Sequence, residues 1–188
     1  MNSSLDLIIG PMFSGKTSEL IRQLVTYSKA GFNVLYINSS FDSRSDVGFS
    51  THNSSLSTTQ SDIKMVKVSK LMSDVRLVQN SDVIGVDEAQ FFDDLVDFYR
   101  FAVETLKKKV VVCGLNGTSQ RSRFGQITEL VPVCDNITFL HSFCTRCAEG
   151  KTIVPAPFSK RISTVQSTVC VGGIESYIPV CRAHFDEE

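Results

Sequence analysis

The octapeptide Gly10-Pro11-Met12-Phe13-Ser14-Gly15-Lys16-Thr17 has the spacing of a phosphate cradle, G-x-x-x-x-G-K-[ST]. Glycines let successive backbone N–H groups point inward, and a helix starting at the loop's end adds the positive end of its dipole. Lys16 then reaches the β- and γ-phosphates, and the Thr17 hydroxyl ligates Mg²⁺. A second signal lies at Asp87-Glu88, where the apolar run Val83-Ile84-Gly85-Val86 ends in two carboxylates. At such a strand end an Asp holds Mg²⁺ through water, and the adjacent Glu acts on the nucleophile. Two acids suit a water-activating ATPase equally well, so the pair leaves the phosphoryl acceptor open.

A third group is Cys144-x2-Cys147 with Cys181-x2-His184, the two halves separated by 33 residues. Three thiolates and one imidazole suit a tetrahedral structural Zn²⁺, each short pair sitting on a tight knuckle. A disulfide or two unconnected pairs are the competing readings. Cys113, Cys134 and Cys170 have no partner at ligand spacing and read as buried small hydrophobes.

These groups need elements to carry them. Residues 5–9 read as a buried first strand, and 16–30 as an amphipathic helix ended by Gly31. Strands are expected at 34–37, 65–68, 82–87 and 110–115, with helices from a Ser69 cap to 78 and near 94–107. Residues 38–61, rich in Ser, Thr and Asn, read as a functional loop. Strands alternating with helices predict a P-loop, RecA-like α/β fold, its mostly parallel sheet covered by helices on both faces. After about residue 140 cysteine pairs, Pro155, Pro157 and Gly172-Gly173 change the texture. The chain is therefore divided into a nucleotide-binding unit, 1–140, and a small zinc-binding subdomain, 141–188.

With 188 residues, 42% of them hydrophobic, the chain can bury a real core. A formal net charge of −1 gives no sign of a nucleic-acid or membrane footprint. No secretory signal or membrane-spanning run is visible, which places the expected compartment in the reducing cytoplasm.

Assembled in order, these motifs resemble the type II thymidine kinases, the family of the cytosolic cellular enzyme and its large-DNA-virus relatives. The P-loop through Leu20 is similar to that family's nearly residue for residue. Asp42-Ser43-Arg44 matches its D-x-R, Thr51-His52 its T-H, and Asp87-Glu88-Ala89-Gln90-Phe91-Phe92 its D-E-[GA]-Q-F-F. Gly117-Thr118 and Gln120-Arg121 with Phe124, Phe158-Ser159-Lys160-Arg161, Gly172-Gly173 with Tyr177, and Cys181-Arg182 resemble further family segments.

The resemblance implies transfer of the γ-phosphoryl of Mg-ATP to the 5′-hydroxyl of thymidine, and of deoxyuridine, in a homotetramer inhibited by dTTP. It casts Glu88 as the base, Arg44 as a charge-stabilising group near the transferred phosphoryl with Asp42 in the same segment, and Asp87 as support for the metal. Met12, Phe91, Leu115 and Phe124 match the walls around the base. The segment 148–177 corresponds to a lid, or lasso, whose backbone reads the pyrimidine edge, with Ser159, Arg161, Val171 and Gly172 among the substrate contacts and Tyr177 as its aromatic anchor. Some positions depart from the family pattern: Asn116 and Asn53 stand where Asp is usual, Ser119 replaces an aromatic, Ser159 replaces Thr, and His184 takes the place of a fourth Cys. The alternatives are a RecA-like ATPase doing mechanical or assembly work and a non-enzymatic zinc-ribbon module. An ATPase would favour a basic groove that the charge totals do not support, and the complete Walker pair argues against the zinc module.

Overall fold

The computed structural model describes residues 2–41, 63–163 and 175–187. Continuous apolar runs form strands where both faces of a parallel sheet are covered. β1 (Ser4–Gly10), β2 (Val34–Ser39), β3 (Ile63–Val68), β4 (Val83–Val86), β5 (Lys109–Leu115) and β6 (Asn136–Phe139) form one all-parallel sheet in the order β3-β2-β4-β5-β1-β6. The sequence reading anticipated the first five, though β3 starts two residues earlier than expected and β2 runs on through Asn38 and Ser39. β6 was not expected. Its four residues are all exposed, so it carries no apolar run, and it is held by register with β1, Leu7 opposite Ile137.

Alternate residues of the central strands feed two cores. Ile8, Tyr36, Val83, Val111 and Cys113 pack under α1 (Lys16–Lys29), against Leu20, Ile21 and Leu24. Leu7, Ile9, Leu35, Ile37, Val86, Val110 and Val112 face the opposite side, against Leu95 and Phe98. Gly85 sets how close α1 can come: a Cβ there would lie 2.5 Å from Leu24 Cδ1 and 3.2 Å from Leu20 Cδ1.

Two expected helices are broken. The segment after β3 is a 3₁₀ turn, Leu71–Asp74, followed by α2 (Val75–Gln79), and the cap is Asp74, whose carboxylate accepts from the Leu77 N–H, rather than Ser69. The helix expected near 94–107 is α3 (Leu95–Tyr99) continued by a π-helical stretch, Arg100–Thr105. Asp94, at the start of α3, accepts the backbone N–H groups of Leu71 and Met72 and so ties the two segments together.

Beyond the sheet come β7 (Ser142–Phe143), α4 (Thr145–Glu149), β8 (Pro155–Ala156), β9 (Phe158–Arg161), β10 (Tyr177–Val180) and α5 (Arg182–Asp186). β7 pairs antiparallel with β8, and β9 with β10. Cys144, Ala156, Ile178, Val180 and Cys181 form a small apolar cluster of their own, flanked by Phe158 and Phe185. Among the described residues no helix is long and apolar enough to cross a membrane. Of the cysteines read as buried, Cys113 is fully buried, whereas Cys134 is partly exposed at the end of the 3₁₀ segment Ile127–Val133. Cys170 lies outside the described residues.

Candidate active site

The phosphate-cradle loop leaves β1 and turns into α1 at the C-terminal edge of the sheet, where a parallel α/β fold gathers its ligands. Gly15 supplies the turn, with φ of 81°, and Phe13 adopts φ of 62°, a conformation that costs a bulky residue about 1–3 kcal/mol. The loop is braced internally. The Ser14 hydroxyl donates to the Pro11 carbonyl at 2.9 Å, and the Lys16 ammonium donates to the same oxygen at 2.6 Å. Gly10 has no room for a side chain, because a Cβ would collide with the Leu140 carbonyl.

Asp87 follows β4 directly, and its N–H donates to the Ile37 carbonyl of β2. The Thr17 hydroxyl lies 3.3 Å from Asp87 Oδ1, so the loop and the acidic strand end meet. Asp87 is 1% exposed. Burial, followed by the neighbouring Glu88 charge, pushes its carboxyl up to about 6, against hydrogen bonds from the Tyr36 hydroxyl (2.8 Å), the Cys113 thiol and the Glu88 N–H (2.9 Å). Glu88 takes the left-handed conformation, φ 49° and ψ 41°, which throws its side chain off the strand direction. Its Oε2 accepts from Gln90 Nε2 at 2.5 Å.

Beyond the carboxylates stands an aromatic wall. Phe91 meets Phe124 edge to face with ring centres 5.6 Å apart, and Phe41 approaches Phe91 at 6.4 Å. Leu115 ends β5 beside this wall, its N–H donating to Gln90 Oε1 at 3.0 Å. On the opposite side the Met12 N–H donates to the Ser159 hydroxyl at 2.9 Å, joining the loop to β9. Arg161 sits across from Tyr177 in the β9–β10 pair, its guanidinium 5.9 Å from the ring centre. Among the residues singled out from sequence, Asp42, Arg44, Val171 and Gly172, together with Thr51 and His52, lie outside the described residues.

Cys144, Cys147, Cys181 and His184 converge, with one candidate ligand atom from each lying within 4.8 Å of all the others. His184 Nδ1 is 3.4, 3.3 and 3.3 Å from the sulfurs of Cys144, Cys147 and Cys181, and Cys147 and Cys181 are 3.9 Å apart. A tetrahedral zinc with bonds of about 2.1–2.3 Å has ligand separations of roughly 3.4–3.8 Å, so the cluster is compatible with zinc. Burial works against the Cys144 thiolate, but the backbone N–H groups of Cys181 and Cys147 and the His184 ring outweigh it and bring the thiol down to about 6. α5, which carries His184, is clasped from outside: Arg121 lies 4.3 Å from the Phe185 ring centre and 3.3 Å from Asp186, and Phe185 meets Phe158 edge to face at 5.4 Å.

Tyr36, Cys113, Gln90 and Arg121 touch the site without having been assigned roles from sequence. Tyr36 had one available signal, a single hydroxyl in an otherwise apolar run that needs a buried partner.

In the solved structure of the flagellar accessory protein FlaH from Methanocaldococcus jannaschii, a similar fold covers 77% of this chain and 73% of that one, at a TM-score of 0.53 and 16% identity. That likeness concerns the fold alone. The sequence comparisons are narrower. The thymidine kinase of Variola virus is 37% identical over 179 residues, 95% of this chain and 94% of that protein. The thymidine kinase of raccoon poxvirus is 35% identical across 98% of this chain and 97% of its own length, and that of Choristoneura fumiferana entomopoxvirus is 34% identical with the same coverage. The family model described as thymidine kinase matches residues 3–185, which takes in the loop, the acidic strand end and all four Cys and His residues, and the chain therefore belongs to the thymidine kinase family.

Proposed function

We propose that the chain phosphorylates thymidine, and deoxyuridine, at the 5′-hydroxyl with Mg-ATP as donor. Family membership supports the reaction, and the approach of Thr17 to the Asp87-Glu88 strand end is the observation that carries the assignment of residues. The backbone of residues 10–17 and the Lys16 ammonium bind the donor phosphates. Thr17 and Asp87 hold Mg²⁺, which when bound neutralises charge on the phosphates. Glu88 takes the proton of the 5′-hydroxyl as that oxygen attacks in line, and Lys16 with Arg44 stabilises charge on the transferred group. Met12, Phe91, Leu115 and Phe124 wall the base, while Asp42, Ser159, Arg161, Val171, Gly172 and Tyr177 complete the acceptor site. Cys144, Cys147, Cys181 and His184 hold a structural Zn²⁺ that orders the subdomain 141–188 as a lid on the nucleotide-binding unit 1–140. The separate apolar cluster around Cys144 and Val180 supports that division.

The working protein is a homotetramer, inhibited by dTTP and located in the cytoplasm. Exposed Ile137 and Phe139 on the edge strand β6, with exposed Val131 and Val133 in the 3₁₀ segment before it, support self-association. A triphosphate of the product would engage both the base walls and the phosphate loop, which supports the feedback. A cluster of cysteines serving as zinc ligands rather than disulfides fits a reducing compartment.

Incubation with labelled ATP, with and without thymidine, tests the reaction. Thymidine monophosphate is the expected product, whereas ADP release independent of thymidine would overturn the reading. Glu88→Gln is expected to leave ATP binding intact and lower kcat by about 100-fold or more. Light scattering and dTTP titration test the assembly and the feedback.

A further inference from the structure

We infer that Gln90 is a positioning residue for phosphoryl transfer, holding the Glu88 carboxylate in place and linking it to the end of β5. The inference rests on the reading of Glu88 as the base. Gln90 is 3% exposed, and both ends of its side-chain amide are engaged. Nε2 donates to Glu88 Oε2 at 2.5 Å, and Oε1 accepts the Leu115 N–H at 3.0 Å. One rigid amide therefore spans from the carboxylate to the strand end that carries a proposed base wall.

Two glycines leave space for it. A Cβ on Gly114 would stand 2.6 Å from Gln90 Oε1, and a Cβ on Gly125 would collide with the Gln90 backbone carbonyl. Gly125 also has φ of 58°, so a residue with a side chain would be strained there as well as crowded. Gly114 thus lets backbone lie against the amide oxygen, and Gly125 lets it lie against the Gln90 main chain. The amide's orientation is read from the acceptor at one end, because the Leu115 N–H can only donate; the NH₂ group is then directed at Glu88.

This arrangement matters because Glu88 is held in the left-handed backbone conformation at the end of its strand, from which two torsions beyond Cβ must be fixed to place the carboxylate. A base displaced by about 1 Å from the attacking hydroxyl can lose about 100-fold in rate. A neutral amide donor can restrain the carboxylate without supplying a charge that would fully neutralise its basicity, as a lysine or arginine would. Gln90 touches neither donor nor acceptor in this account and acts through Glu88.

The test is a double-mutant cycle. Gln90→Met keeps the length of the side chain and removes both hydrogen bonds, while Gln90→Glu keeps an acceptor for the Leu115 N–H and replaces the amide donor. Each is measured alone and with Glu88→Gln, recording kcat, KM for thymidine and ATP, the Kd of ADP, and the unfolding midpoint. In the Glu88 background both variants are expected to lower kcat by about 10- to 100-fold with the KM for ATP and the Kd of ADP within about 2-fold. In the Glu88→Gln background they are expected to cost less than about 3-fold more, because there is no base left to position. The same fold-loss in both backgrounds, or an unchanged kcat, would overturn the inference. So would a loss that follows the KM for thymidine alone, since that reports the Leu115 anchor. If Glu88→Gln itself retains full kcat, the reading of the base fails instead, and the two failures are told apart by that single variant. Should Gln90→Glu not fold, Gln90→Met carries the cycle by itself; if neither folds, Gln90 is a scaffold residue and the inference is lost.

Discussion

The Met12 N–H and the Ser159 hydroxyl, 147 residues apart in the chain, meet in a 2.9 Å hydrogen bond that ties the glycine-bounded loop at 10–17 to β9. In the proposed roles, the bond would give the donor loop and the acceptor side a shared support. Ser159→Ala leaves the Met12 amide without its partner, a loss worth about 0.5–1.5 kcal/mol. The KM for thymidine is expected to rise about 2- to 10-fold with little change in the KM for ATP, and Ser159→Thr to restore it. Steady-state kinetics of the two variants check this.

Asp87 makes the apo protein's stability depend on pH. Its folded carboxyl titrates at about 6, above the ordinary value of 3.8, so the folded state holds this proton more tightly than the unfolded chain. The contribution is therefore full below about pH 4 and is lost as the pH rises through 6, a decline of the order of 2–3 kcal/mol for this group. Asp87→Asn is expected to flatten that segment of the stability profile. Urea unfolding between pH 4 and pH 7 without Mg²⁺, compared for the two proteins, is the measurement.

Gly85→Ala drives a methyl group into Leu24 and Leu20 beneath α1. Overpacking of this kind costs about 1–3 kcal/mol. Since α1 begins at the phosphate loop, displacement of the helix is expected to weaken nucleotide binding as well as lower the unfolding midpoint. Calorimetry with and without ADP separates the two effects.

Removal of metal by a chelator, or His184→Ala, is expected to loosen β7, β9, β10 and α5 while β1 and β5 stay protected. The loop bearing Phe124 is expected to loosen with them, because Arg121 stacks on Phe185 and pairs with Asp186. Hydrogen exchange resolved by segment, together with zinc content, reads this out, and the KM for thymidine is expected to rise before the sheet melts.

Sequence reasoning singled out the parts of the candidate site whose chemistry is local in the chain. The loop at 10–17, the acids at 87 and 88 and the cysteine pairs each announce themselves by spacing. What it missed depends on distant neighbours. β6 has four exposed residues and acquires its strand conformation from the register offered by β1, not from an apolar period. The helix near 94–107 keeps a helical pattern in sequence but widens into a π-helical stretch, with the Leu106 N–H reaching back to the Phe101 carbonyl. Gln90 sits inside a recognisable motif, yet its two partners, Glu88 and Leu115, come together only when β4 and β5 pair. Tyr36 and Cys113 likewise read as core until Asp87 is set between them.

The sheet order also governs how the chain is built. β1, the first strand of the six-stranded sheet in chain order, is flanked by β5 and β6, the last two of that sheet. Its apolar Leu5, Leu7, Ile8 and Ile9 have no sheet neighbour until about a hundred more residues have left the ribosome. The nascent polypeptide thus carries these apolar side chains on an unpaired strand while the rest of the sheet is made, and that interval is when it most needs a chaperone's protection.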